Sequence, residues 1–127
     1  MKKDDHDGRP SVIHSSSKGL GIRPVWDIPV DEDGIVERCG EGLSVAPQTP
    51  ANLPTVRKPP SLGGEGKYPV WELDTELLPE SLVYTEEERR EGPPKGLIEP
   101  AFAMELEDFQ VAIAETRDLW RELDSLQ

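Results

Sequence analysis

Cysteine, histidine and aromatic residues are scarce in this sequence, and each scarcity removes a class of chemistry. The one cysteine, Cys39, cannot form an intramolecular disulfide, so a disulfide-stapled secreted fold is excluded. It has no histidine nearby to act as a base, and it reads as a small apolar residue. The two histidines, His6 and His14, do not form a zinc spacing with Cys39. Both lie near the start of the chain, so a Ser–His–Asp arrangement or a histidine-based nuclease has no base on the remainder. Aromatics make up only 6% and hydrophobic residues 35%, which is thin for a compact core unless part of the chain lies outside it. No apolar run approaches the ~20 residues of a membrane span. The opening "MKKDDHDGRP" has two lysines but no apolar stretch behind them, so it is not a secretory signal, and the expected location is the cytoplasm.

Basic residues are also outnumbered, 14 against 26 acidic, for a net charge of −12. Such a surface repels phosphate backbones and anionic membranes, so neither direct nucleic-acid binding nor membrane binding is expected, and basic partners are favoured. The same charge also serves simply to keep a chain soluble. Proline and glycine are abundant, at 13 and 11 residues, and they favour short strands, turns and irregular loops over a helical bundle.

Along the chain, residues 1–20 are charged or small and polar, with only Val12 and Ile13 to bury, and they read as a flexible tail. A single domain is expected over 21–127. "GIRPVWDIPV" is extended, because Pro24 and Pro29 forbid a helix interior. "DEDG" (31–34) is a turn. "GIVERCGEGLSVAP" reads as strand, turn, strand, with Ser44 facing away from Leu43 and Val45. Residues 47–69 form a long proline-rich loop. "YPVWELD" and Leu82–Tyr84 are strands, and 85–96 is a charged, hairpin-like excursion. A long C-terminal helix is predicted over 104–127, with Leu106, Phe109, Ile113, Trp120 and Leu123 along one stripe. Glu105, Glu107 and Asp108 fall in its first turn, and Asp118 and Arg121 are placed to pair. The sum is an α+β fold.

With histidine, cysteine and metal chemistry set aside, arginine, serine, lysine, tyrosine and carboxylates remain. Arg23 stands in an extended segment, where its planar fork suits a pyrophosphate. Ser44 follows two glycines that let a ligand approach closely. Glu99 ends the strand-like "KGLIEP", where a carboxylate can stabilise cationic character on a ribose. Each also has a plainer reading, as a surface arginine, a strand-face hydroxyl and an exposed acid before a proline.

The segments "IRPVWDIP", "DGIVERCGEGLSVAP", "VWELDTELLPESL" and "GLIEPAFAMELEDFQVAIAETRDLW" together resemble the small toxin ADP-ribosyltransferase-like family, which includes a type VI secretion effector. The resemblance spans roughly residues 20–121 and implies a small, strongly twisted, split β core with flanking helices around an NAD-like ligand. It implies that Arg23 binds phosphate, that Ser44 supports the nicotinamide ribose, and that Glu99 takes the acidic role. The polar residue entering the "GLIEP" strand is often histidine in that family. Here it is Lys95, which can hold a phosphate as a point charge but lacks the imidazole's donor–acceptor geometry. The implied reaction is cleavage of the nicotinamide–ribose bond, with transfer of ADP-ribose to a target or to water. The loop 47–69 would close over the ligand. A cognate antitoxin or immunity protein would be the partner, and delivery to a target cell's cytoplasm would fit an exported toxin. The competing reading is a non-enzymatic acidic interaction protein: an antitoxin, immunity protein or adaptor.

Overall fold

The computed structural model describes residues 1–4, 7–12, 19–47, 59, 64, 68–87 and 94–123. These form an α+β fold of three small antiparallel sheets and one helix. β1 (Ile35–Val36) pairs with β6 (Met104–Glu105). β2 (Leu43–Val45), β5 (Lys95–Pro100) and β4 (Leu82–Glu87) make a three-stranded sheet in the order β2-β5-β4. β3 (Val70–Glu72) pairs with β7 (Arg121–Leu123). The two strands expected within 34–47 are both present, but each pairs with a distant segment instead of its neighbour. β4 and β5 flank the charged excursion as antiparallel partners, and residues 88–93 between them lie outside the described residues. So does most of the proline-rich loop 47–69.

The "DEDG" turn forms as its composition predicts. The Asp31 carboxylate accepts from the Asp33 and Ile35 amides, both at 2.9 Å, and Gly34 takes φ 79°. The Gly34 carbonyl then accepts from the Leu106 amide at 3.0 Å, tying this turn to the start of helix α1 (Leu106–Glu115). The acids Glu107 and Asp108 stand in the helix's first turn, where the helix dipole favours them. Its inner face buries Phe109, Ala112 and Ile113 against Ile22, Ile28, Val36, Leu43, Leu82 and Ile98.

The long C-terminal helix is not formed. α1 ends at Glu115, a 3₁₀ turn covers Thr116–Leu119, Trp120 is extended, and β7 follows. The Thr116 hydroxyl donates to the Ile113 carbonyl at 2.6 Å and accepts from the Trp120 indole at 3.1 Å. Trp120 therefore packs back on the helix end and does not continue the stripe. Arg121, expected to pair with Asp118 along a helix, lies in β7 and pairs with Glu72 of β3, while Asp118 pairs with Arg9 at 3.1 Å. Residues 124–127 lie outside the described residues.

The described part of the first twenty residues is docked on the domain. Leu20 is 1% exposed and belongs to the core, and Ser11 is buried. Lys3 pairs with Glu122 at 2.7 Å, and Arg117 reaches Asp7 at 2.9 Å and the Pro10 carbonyl at 3.0 Å. The Trp71 indole donates to the Met1 carbonyl at 2.8 Å. The Met1 amino group donates to the Pro69 carbonyl at 2.6 Å. Burial pulls that amino group from its ordinary pKa of 8.0 down to about 6, with the Glu122 carboxylate pulling the other way.

With the folded value below the unfolded one, the unfolded chain holds the extra proton between the two. Stability is therefore expected to rise with pH from about 6 to about 8 and then level off. Denaturant midpoints across that range test this, with the amino-acetylated chain as reference. Equal slopes in the two forms would show that the amino group does not contribute.

Candidate functional site

The site is built from the alternation of β5. Side chains on a strand point to opposite faces in turn, so Lys95, Leu97 and Glu99 share one face and Gly96, Ile98 and Pro100 the other. Antiparallel register then adds neighbours. Leu97 stands opposite both Ser44 of β2 and Thr85 of β4, so these two residues share its face. The opposite face is the core face, carrying Leu43, Leu82 and Ile98.

Glu99 dominates the first face. It is 2% exposed, although it is a carboxylate on a short strand. Burying such a group is costly unless its oxygens find donors, and here they do. Oε1 accepts from the Gly40 amide at 2.6 Å and from the Cys39 amide at 3.2 Å. Oε2 accepts from the Thr85 hydroxyl at 2.6 Å, and the Arg38 guanidinium lies 4.0 Å away. Backbone amides, a hydroxyl and a nearby cation thus surround one carboxylate, and charge-assisted bonds of this kind are strong. Most of its acceptor positions are occupied by the protein's own donors.

Glycines make the close approach possible. Gly42 lies against the β5 backbone, where a Cβ would overlap the Ile98 carbonyl oxygen and come within 3.4 Å of the Glu99 Cα. Gly40 takes φ 83°, which turns its amide and that of Cys39 onto the carboxylate. The loop carrying these amides is exposed from Glu37 to Glu41, including the Cys39 side chain and the Arg38 side chain at 57%.

Of the residues singled out from the sequence, Ser44, Lys95 and Glu99 fall on this one face. Ser44 is exposed, Lys95 is half-buried opposite Glu87 at the far end of β5, and Glu99 is sealed beneath the 37–41 loop. Arg23 is not part of this sheet; it stands in the segment before β1. Its guanidinium is clasped by Asp27, with Nε at 3.2 Å from Oδ2 and Nη2 at 3.1 Å from Oδ1. That carboxylate also raises the Arg23 pKa.

The groups that sequence reasoning passed over are Arg38, Thr85 and the Cys39 and Gly40 amides. No local signal marks them. Arg38 follows a two-residue strand, and Thr85 opens a charged run. Only the register of β5 between β2 and β4 brings them to Glu99. Among the described residues no cluster of histidine, cysteine and acidic side chains is suited to a metal ion. No helix among them is long and apolar enough to cross a membrane.

The chain matches no protein-family model, no curated protein sequence and no solved structure.

Proposed function

We propose that the Glu99 face of the β2-β5-β4 sheet binds NAD, and that the protein is a toxin-like enzyme transferring ADP-ribose to a target or to water. The observation that carries this reading is a buried carboxylate met by Arg38 and Thr85 on a sheet face that also carries Ser44 and Lys95. Those groups come from separate segments of the chain. A negatively charged, hydroxyl-rich ligand fits that set of residues. Arg38 and Lys95 supply positive charge for a pyrophosphate, the exposed Ser44 hydroxyl faces a ribose, and Glu99 lies beneath with its negative charge.

In the proposed reaction the bond between ribose C1′ and the nicotinamide nitrogen breaks, with both electrons leaving on nicotinamide. A nucleophile on the target, or water, then bonds to C1′ and releases a proton. The residues contribute position and electrostatics. Glu99 reaches the ribose only when the 37–41 loop gives up its amide bonds to the carboxylate. The Cys39 bond at 3.2 Å is the longer of the two. Arg38 takes the phosphate role in this arrangement, since Arg23 is held by Asp27. A cognate antitoxin or immunity protein belongs to the same reading.

The test is calorimetric titration of NAD together with chromatographic detection of released nicotinamide. Micromolar binding is expected. Arg38→Ala is expected to weaken it by roughly tenfold, the worth of one charge-assisted contact, while Arg23→Ala leaves it unchanged. No saturable heat and no nicotinamide release from the unaltered chain would remove the reading.

One observation favours the second reading, a non-enzymatic acidic interaction protein. Most of the acceptor positions of Glu99 are taken by the protein's own donors, as in a purely structural carboxylate. On that reading NAD gives no heat, and Glu99 serves only to hold the 37–41 loop on the sheet.

A further inference from the structure

The segment 23–28 carries the one β-branched outlier of the described backbone. Val25 has φ 71°, whereas the other described residues at positive φ are glycines. A β-branched side chain in that region is a genuine steric outlier, and it persists only where its surroundings hold it. Here both stems are anchored. Ile22 is 6% exposed and Ile28 fully buried, and the Ile22 carbonyl accepts from the Gln110 side chain of α1 at 3.0 Å.

Within the loop the Val25 amide donates to the Ile28 carbonyl at 2.8 Å and the Asp27 amide to the Arg23 carbonyl at 3.0 Å. The Asp27 carboxylate closes the ring through the Arg23 amide at 2.7 Å and through the guanidinium. Such a clasp holds the tip rigid without using either tip side chain.

Those two side chains are turned outward. Val25 is 77% exposed and Trp26 80%. The fold gains almost nothing from Trp26, yet it holds that residue on a strained, braced turn. Exposed Val111 lies next to Gln110, where the loop's stem meets α1. A rigid tryptophan on a pre-ordered loop is the kind of group that dominates association, because it buries a large area at little entropic cost. The surroundings select the partner's charge. Asp31, Glu32 and Asp33 come five to seven residues after Trp26 and are all exposed, on a chain of net charge −12. A second copy of so acidic a chain is repelled, and a basic surface is attracted.

We infer that the Val25–Trp26 tip is a docking element that inserts into an apolar pocket rimmed by lysine and arginine on a partner protein. The contact stands whether or not the sheet face binds NAD, since it uses none of the same residues.

The test selects a phage-displayed library of random peptides on the purified full chain and measures the recovered peptides on Trp26→Ala. Recovered sequences are expected to combine bulky apolar residues with lysine or arginine. They are expected to bind Trp26→Ala weaker by roughly tenfold or more. Trp26→Ala is expected to keep the unfolding midpoint of the unaltered chain, because the side chain is exposed, so that loss of binding is not loss of fold. Val25→Gly, which accepts positive φ, is expected to keep or raise that midpoint while weakening binding. Recovery of no peptides, of peptides without basic residues, or of peptides that bind Trp26→Ala equally well would overturn the proposal. So would Trp26-dependent self-association in sedimentation, which would assign the tip to a second copy.

Discussion

Glu99→Ala is expected to lower the stability of the protein by about 3 kcal/mol, a large share of the total for a domain of this size. The reason lies in what the substitution leaves behind. The Thr85 hydroxyl and the Gly40 and Cys39 amides all donate to this carboxylate, and alanine offers them no acceptor. The loop amides can turn to water, because the 37–41 loop is exposed, but only by leaving the sheet. The Thr85 hydroxyl stays half-buried on β4.

Glu99→Gln separates hydrogen bonding from charge. Its amide oxygen can still accept from the two backbone amides, and its NH₂ can donate to a Thr85 hydroxyl that has turned to accept. The cost is then expected to fall to about 1 kcal/mol. Urea midpoints at unchanged slope measure both variants. If Ala and Gln prove equally costly, hydrogen-bond geometry is not what matters at Glu99. In the NAD reading, Glu99→Gln also binds NAD but releases no nicotinamide, since the negative charge is gone while the fold remains.

Gly42→Ala is expected to cost about 3 kcal/mol, at the upper end for forcing an extra methyl into a packed site. The added carbon would overlap the Ile98 carbonyl oxygen and lie 3.2 Å from the carbonyl carbon. Both atoms are backbone of the central strand and cannot rotate away. β2 would have to separate from β5, drawing Leu43 from the core and lifting the amides of Cys39 and Gly40 from Glu99.

Gly96 provides the comparison within the same sheet. A methyl there would meet the Tyr84 ring and the Val45 side chain at 2.9 Å, and side chains can turn. Gly96→Ala is therefore expected to cost only about 1 kcal/mol. Denaturation midpoints of the two variants, with amide exchange at Gly40, check the ranking. Equal costs would show that β2 does not depend on that close backbone approach.

Both predictions concern a site that was half legible. Ser44, Lys95 and Glu99 could be named because a serine after glycines, and a lysine and an acid bounding a strand, are local features. The alternation of β5 also puts Lys95 and Glu99 on one face without any knowledge of the fold. Thr85 and Arg38 could not be named, because neither is distinguished by its neighbours. Arg23 shows the reverse case. Its extended context suits a pyrophosphate, but the acid that clasps it stands four residues on, across the turn that contains Pro24.

The helix is shorter than its apolar spacing predicts for a comparable reason. The apolar spacing of 106–123 is helical throughout, but Arg121–Leu123 find a β partner in Val70–Glu72, far earlier in the chain.

By itself the sequence determined the α+β class, the acidic surface, the scarcity of nucleophile–base pairs and the Asp31–Gly34 turn. Composition and local hydrogen bonding decide all of these within a few residues. The tertiary structure alone decided that Glu99 is buried, that Thr85 and the 38–40 loop satisfy it, that the helix stops at Glu115, and that Trp26 stands outward on a braced turn. Each of these depends on which remote strands pair and in what register. A register is set by the whole core packing at once, and no short stretch of residues encodes it.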